Sequence, residues 1–258
     1  MLRLLKNIFS KKSFFSSSFY PVYFVGAGPG DPELLTVKAK KLIDEADFIV
    51  YTGSLVPENL FLSSKARRKI DSSNLDLEEI VNLLFEGYKK HQLVVRVHTG
   101  DPLLYGAVWE QLKELDKLNV PYQIVPGITT AFALAAEAKI SFTLPKANQT
   151  LIFTRVSGTT IVPDSQSLER LARSKSAFAI YLSARQTEKI YQAFVQAGYD
   201  ENSQVVIGYR VGWPDQEICL TTLKDFPTTF QKLNKTRQVL FLILPTQEGE
   251  YSYLYSKV

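Results

Sequence analysis

Cysteine and histidine are nearly missing from this chain. Cys219 is the only thiol in 258 residues, and His91 and His98 are the only imidazoles. One cysteine excludes a disulfide framework, and so small a set excludes a zinc site of the usual ligand count, so no metal is expected. A lone thiol fits a reducing, cytoplasmic setting. Long apolar runs are missing too. No stretch approaches the roughly 18 consecutive apolar residues of a spanning helix, so no membrane partner is expected. Excess charge is confined to one end. The net charge is +4, and residues 1–20 hold Arg3, Lys6, Lys11 and Lys12 with no acid. Without those four, 26 basic residues face 26 acidic ones. A neutral body has no electrostatic footprint for nucleic acid.

What remains is an ordinary globular composition, 45% hydrophobic and 22% charged, long enough for one large domain or two of about 130 residues. The serine-rich segment 1–20 superficially resembles a transit peptide but is read as a disordered basic tail outside the fold. From residue 22 the pattern alternates between short apolar runs and helical periodicity. Strands are expected at 22–26, 48–51, 93–97 and 122–125. Helices are expected from Pro32 to Ala46 with Asp31 as cap, at 77–90, at 104–118 and at 130–138. Strands separated by helices imply βαβ units and a parallel sheet. The rhythm breaks near 141–149, which divides the chain into an N-terminal domain over 21–143 and a C-terminal domain over 144–258. In the second half, strands at 150–156, 177–183, 204–211, 217–223 and 239–245 with helices at 165–173 and 187–197 suggest a mixed sheet. The fold class is therefore α/β, as two α/β domains.

The loop Gly26-Ala27-Gly28-Pro29-Gly30-Asp31 invites a dinucleotide reading, which three features oppose. A G-x-G-x-x-G loop needs a small sixth residue and free helix-end amides for the pyrophosphate. Here the sixth residue is Asp31, and Pro29 and Pro32 each remove a donor. The second strand, "FIVYTG", also ends without an acid for the ribose 2′-hydroxyl. The loop is left to approach something uncharged or cationic, or simply to make a tight turn. Gly30-Asp31-Pro32 recurs as Gly100-Asp101-Pro102.

The segments "GAGPGDPELLT", "YTGSLVP", "RVHTGDPLLYGAVWEQ", "VPGITT", "TLPKANQT" and "GYRVGWPDQ" occur in one order over residues 21 to 247. Together they resemble the tetrapyrrole methylases, and within that family are most similar to the branch that methylates C11 of precorrin-4 or cobalt-precorrin-4 in cobalamin biosynthesis. Thr159 and Thr221 stand where that branch more often carries Arg and Gly. The resemblance implies S-adenosyl-L-methionine as cofactor, with S-adenosyl-L-homocysteine as product, bound in a cleft between the two α/β domains. It implies a homodimer acting on a small-molecule tetrapyrrole. It places Pro29, Thr99, Gly100, Asp101, Leu104, Tyr105, Gly106, Thr129, Thr130, Leu182, Val211 and Gly212 at the cofactor. A polycarboxylate substrate would need cations, for which Arg96, His98, Arg155, Arg185 and Arg210 are candidates. No general base is assigned. Asp101 is expected to aim its carboxylate into the cleft, with Asp101→Asn changing stability by less than about 1 kcal/mol. Two rivals stay open: another methylase of this fold, acting on uroporphyrinogen III or another precorrin, and a non-catalytic tetrapyrrole- or nucleotide-binding module.

Overall fold

The structure, a computed structural model, describes residues 19–246, 248–250 and 252. The tail expected over 1–20 thus lies outside the described residues, apart from Phe19 and Tyr20. The Phe19 ring already packs on His91, with centroids 3.8 Å apart.

Ten strands form two sheets. The first contains β1 (Val22–Gly26), β2 (Phe48–Tyr51), β3 (Arg68–Asp71), β4 (Val94–His98) and β5 (Tyr122–Val125) in the order β3-β2-β4-β1-β5. Every pairing in it is parallel. Three of these strands read as near-continuous apolar runs because both faces are covered. On one face Val25, Ile49 and Val97 pack with Ala39, Leu42 and Ile43 of helix α1 (Val37–Glu45). On the other, Phe24, Phe48 and Val94 pack with Ile80, Val81 and Leu84 of α2 (Leu77–Lys89) and Val108 and Leu115 of α3 (Val108–Lys117).

The second sheet contains β6 (Leu151–Arg155), β7 (Ala177–Tyr181), β8 (Gln204–Tyr209), β9 (Glu217–Thr222) and β10 (Val239–Ile243) in the order β6-β7-β10-β8-β9. Only β6 and β7 run parallel, so this sheet is mixed. One face carries α5 (Leu168–Leu171), α6 (Thr187–Gln196) and α7 (Phe226–Leu233), with Phe178, Phe194, Phe226 and Phe241 fully buried between them. The other face is covered by α4 (Thr130–Glu137), a helix that precedes the second half in sequence yet packs on its sheet. The fit is specific. A Cβ on Gly208 would lie 2.7 Å from both methyls of Leu134, so the mid-strand glycine makes room for that side chain.

Four elements differ from the sequence expectation where the backbone turns left-handed or recaps, among them β7, which stops at Tyr181 before the left-handed Leu182. The helix expected from Pro32 is a short 3-10 turn over 32–34. Asp31 caps only the Glu33 amide, Leu35 is extended, and Thr36 then caps α1 through Ala39. Helix α3 starts four residues late because Tyr105 (φ 57°) and Ala107 (φ 47°) are left-handed. Strand β8 stops at Tyr209 because Arg210 (φ 46°) and Gly212 (φ 82°) are left-handed too. Strand β3 and helix α7 were not expected. Among the described residues no helix is long and apolar enough to cross a membrane.

Candidate functional site

The loops after β1, β4 and β5 meet at the carboxyl end of the parallel sheet, the edge where open α/β sheets take ligands. They meet backbone against backbone. Gly28 and Gly100 exchange two hydrogen bonds, Gly28 N to Gly100 O at 3.2 Å and Gly100 N to Gly28 O at 2.7 Å. A Cβ on Gly26 would fall 2.6 Å from Gly127 Cα, and one on Gly127 would fall 2.1 Å from Gly100 O. Only glycine fits at these two positions. The same bonds dispose of the anion cradle: the Ala27 amide donates to His98 O, the Gly28 amide to Gly100 O, and the Asp31 carboxylate takes the Glu33 amide.

The glycine loop also meets the second domain. At Gly30 (φ 144°) a Cβ would lie 2.5 Å from Cδ1 and Nε1 of Trp213, and at Gly212 one would lie 3.0 Å from the Asp31 amide. The third glycine of the loop thus leaves space for an indole from the other domain. Arg210 stacks on that indole, its guanidinium 4.0 Å from the ring centroid. Its Nε lies 3.0 Å from Asp215 Oδ1, an ion pair that lacks hydrogen-bond geometry. A second tie joins the domains where Gln238 Nε2 donates to Ser54 O.

Beside this junction lies a cavity of about 610 Å³ lined by Asp101, Leu104, Gly127, Ile128, Thr129, Phe132 and Phe153. Asp101, Leu104 and Thr129 were expected there. Gly127, Ile128, Phe132 and Phe153 were not, because apolar residues in strand- or helix-like runs read as core. Asp101 does not cap α3, which starts well past it. Its Oδ1 accepts from the Leu103 amide at 2.8 Å and its Oδ2 from the Gly127 amide at 3.0 Å. The carboxylate therefore pins the β4 loop to the β5 loop, with one lone pair on each oxygen left for a ligand. Tyr105 is half-exposed with its ring 5.6 Å from that of Tyr181, and burial pushes its hydroxyl pKa up while the Arg155 charge draws it down. Leu182 follows β7 in a left-handed conformation (φ 53°) while 63% exposed. An exposed leucine held in αL is strained, and such strain clusters at ligand sites. Pro29 and Val211 are buried, and Thr99, Gly106, Thr130 and Gly212 half-buried. A smaller hollow of about 290 Å³ includes Val211, Gly212, Trp213 and Asp31 in its wall.

The five cationic candidates separate. Arg96 is 3% exposed inside the first domain, donating to Ser72 Oγ and Gln111 Oε1, and burial lowers its pKa to about 10. His98 is 1% exposed, stacks near Phe24, and keeps a buried Nε2 without a hydrogen-bond partner. Burial first, and Arg96 second, hold it near pKa 3 and hence neutral. Neither reaches the cavity in this structure. Arg155 ends β6 with its Nη2 on Thr160 O and its Nε buried without a hydrogen-bond partner. Its charge acts on Tyr105, so the two side chains are neighbours. Arg185 is exposed on the loop after β7, and Arg210 is held by Trp213. Among the described residues no group of three or more His, Cys, Asp or Glu side chains could hold a metal ion.

Comparison with known proteins agrees with this geometry. Residues 21–227 match the family model for Tetrapyrrole (Corrin/Porphyrin) Methylases. The cobalt-precorrin-4 C(11)-methyltransferase of Methanocaldococcus jannaschii is 40% identical over 238 residues, 92% of each chain. The precorrin-4 C(11)-methyltransferase of Pseudomonas aeruginosa is 42% identical over 222 residues, 86% of this chain and 88% of that one. Among solved structures, the X-ray structure of a cobalamin biosynthetic enzyme, cobalt precorrin-4 methyltransferase, superposes with a TM-score of 0.84 at 40% identity, covering 86% of this chain and 94% of that one. Uroporphyrin-III C-methyl transferase from Thermus thermophilus, solved in complex with S-adenosyl homocysteine, superposes with a TM-score of 0.72 at 26% identity, over 87% and 97% of the two chains.

Proposed function

The chain belongs to the tetrapyrrole (corrin/porphyrin) methylases, and from that premise we propose that it methylates C11 of precorrin-4 or cobalt-precorrin-4 in cobalamin biosynthesis, using S-adenosyl-L-methionine. The observation that carries the cofactor is the pairing of an amide-depleted glycine loop with an apolar cavity holding one carboxylate. In that loop the Ala27 and Gly28 amides are already donated within the fold, Pro29 has none, and the Asp31 carboxylate would repel a phosphate. A cationic, amphiphilic amino-acid nucleoside fits, and 610 Å³ lies within the usual size range of small-molecule sites.

Asp101 and Thr129 offer polar contacts, the Thr130 amide at the start of α4 offers a donor to a carboxylate, and Leu104, Tyr105, Leu182 and Val211 offer apolar ones. Pro29, Thr99, Gly100, Gly106, Thr130 and Gly212 complete the proposed contact set. When bound, the cofactor supplies a sulfonium methyl for in-line transfer to an electron-rich ring carbon. The chain's own part is to align the two reactants and exclude water, which can lower a barrier by about 7–11 kcal/mol without any general base. Arg155, the neighbour of Tyr105, is the cation we favour to receive a substrate carboxylate, with the exposed Arg185 and the half-buried Arg210 as further candidates, while Arg96 and His98 are buried inside the first domain. We propose the homodimer and the cytoplasmic setting on the same resemblance.

The test is calorimetry followed by turnover. S-adenosylhomocysteine should bind at micromolar affinity and NAD should not compete with it. Labelled methyl should pass to precorrin-4 or its cobalt form in preference to uroporphyrinogen III. Competitive NAD binding would overturn the cofactor assignment, and methylation of uroporphyrinogen III alone would overturn the substrate.

A further inference from the structure

Helix α4 begins on a residue that does not cap it. Thr129 occupies the N-cap position, yet its side chain makes no cap hydrogen bond to its own helix. The missing acceptor arrives from the other domain. Tyr181, the last residue of β7, accepts from the Ala131 amide at 3.2 Å through its hydroxyl, which also lies 2.6 Å from Thr129 Oγ1. One phenol therefore does what a Ser, Thr or Asp cap does for most helices, and it fixes the Thr129 rotamer at the same time. Burial raises the Tyr181 pKa, so the hydroxyl keeps its proton as a donor.

The ring of Tyr181 touches two further walls. It lies 5.6 Å from the Tyr105 ring and 6.1 Å from the Phe153 ring, centroid to centroid. Tyr105 comes from the left-handed turn after β4, Phe153 from β6, and Thr129 from the turn after β5. A single side chain thus holds three separately folded segments around the cavity that Thr129 and Phe153 line. Its chain neighbour is the strained Leu182.

We propose that Tyr181 is a positioning residue for the cofactor, acting through Thr129 and the amino end of α4. This rests on the functional reading above. Its hydroxyl orients the Thr129 side chain and fixes the first turn of α4 beside the cavity, while its ring sets the spacing between the Tyr105 turn and β6. Without the hydroxyl, Thr129 is free to turn back and cap its own helix, which removes its oxygen from the ligand.

Tyr181→Phe deletes only the hydroxyl and leaves the three ring contacts. We expect S-adenosylhomocysteine to bind five- to thirtyfold more weakly, with KM for S-adenosylmethionine raised in step and kcat reduced far less. Thr129→Val should weaken binding, and Tyr181→Phe should add nothing further on top of Thr129→Val. Parent-like binding by Tyr181→Phe, with or without a fall in melting temperature, would overturn the proposal and leave Tyr181 a packing residue. Fully additive effects in the double variant would overturn it as well. A parent protein that binds no S-adenosylhomocysteine would instead overturn the functional reading, and this inference with it.

Discussion

Gly30 offers the most direct test of why the glycine loop has its sequence. Gly30→Ala adds one methyl at a backbone φ of 144°, with Trp213 Cδ1 and Nε1 only 2.5 Å from the new carbon. Ordinary carbon contacts are about 3.5–4.0 Å, so the indole must retreat by about 1 Å or more. It is not free to do so, because Arg210 stacks on it and its chain neighbour Gly212 is packed so closely on the loop that even a Cβ there would lie 3.0 Å from the Asp31 amide. Overpacking of this kind costs about 1–3 kcal/mol. The backbone conformation adds about another 1–3 kcal/mol for a residue with a Cβ. The two parts are separable by a double-mutant cycle with Trp213→Leu, read from chemical denaturation. In the Trp213→Leu background only the backbone part remains, so Gly30→Ala should cost about 1–3 kcal/mol less there than in the parent. Equal costs in both backgrounds would refute the claim that the indole dictates this glycine. A cost below about 0.5 kcal/mol in both, the scatter of neutral surface changes, would refute the backbone argument too.

Asp101→Asn should cost about 1.5–3 kcal/mol of stability, more than the sequence alone suggested. Each carboxylate oxygen accepts a backbone amide, and an asparagine must turn its NH₂ toward one of them. Unchanged denaturation would show that the carboxylate does not pin the two loops. His98 should make the protein acid-sensitive. Its folded pKa is near 3 and its unfolded value 6.5, so below pH 6.5 the unfolded chain takes up a proton that the folded chain refuses. Stability should then fall as pH drops from 6.5 toward 3, by about 1.4 kcal/mol per unit, or about 2 kcal/mol by pH 5. His98→Leu should flatten that part of the profile, and urea midpoints at pH 7 and pH 5 measure it; parallel profiles for parent and variant would refute the assignment.

The parallel sheet, the mixed second sheet and most strand limits could be read from the sequence because burial on both faces writes itself as short apolar runs. The two elements that escaped lack that signature. In β3, "RKID" has a single apolar residue among three charged ones at a sheet edge and looks like a loop. In α7, Pro227 sits in the first turn and two threonines follow, all poor helix signals until Phe226 and Phe230 are seen buried on the second sheet. The start of α3 and the end of β8 were misplaced where left-handed residues intervene, since Tyr105, Ala107 and Arg210 carry side chains that ordinarily avoid that conformation.

The site was legible to the extent that backbone chemistry determines it. Glycines, prolines and aspartates announce turns, so the loops after β1 and β4 stood out, and Asp31 and the prolines were enough to argue against a phosphate. What those loops face could not be read locally. Gly30 is glycine because of Trp213, and Gly208 because of Leu134, each a partner distant in sequence. Tyr181, Phe132 and Phe153 lie in runs such as "AFAIY" and "LIFTR", where an aromatic that lines a cavity and one that fills a core have the same neighbours. Arg96 shows the converse error. A cation between valines looked available for a carboxylate, but β4 is interior, so the strand turns it toward Ser72 and Gln111 instead. Sequence distinguishes a ligand wall from a core only where the chain breaks a rule of local geometry. Here the breaks at Gly28, Gly100, Tyr105, Leu182 and Gly212 fall on the loops after β1, β4, β7 and β8, whereas those at His91, Asn119, Lys139, Lys175 and Asn234 only end helices.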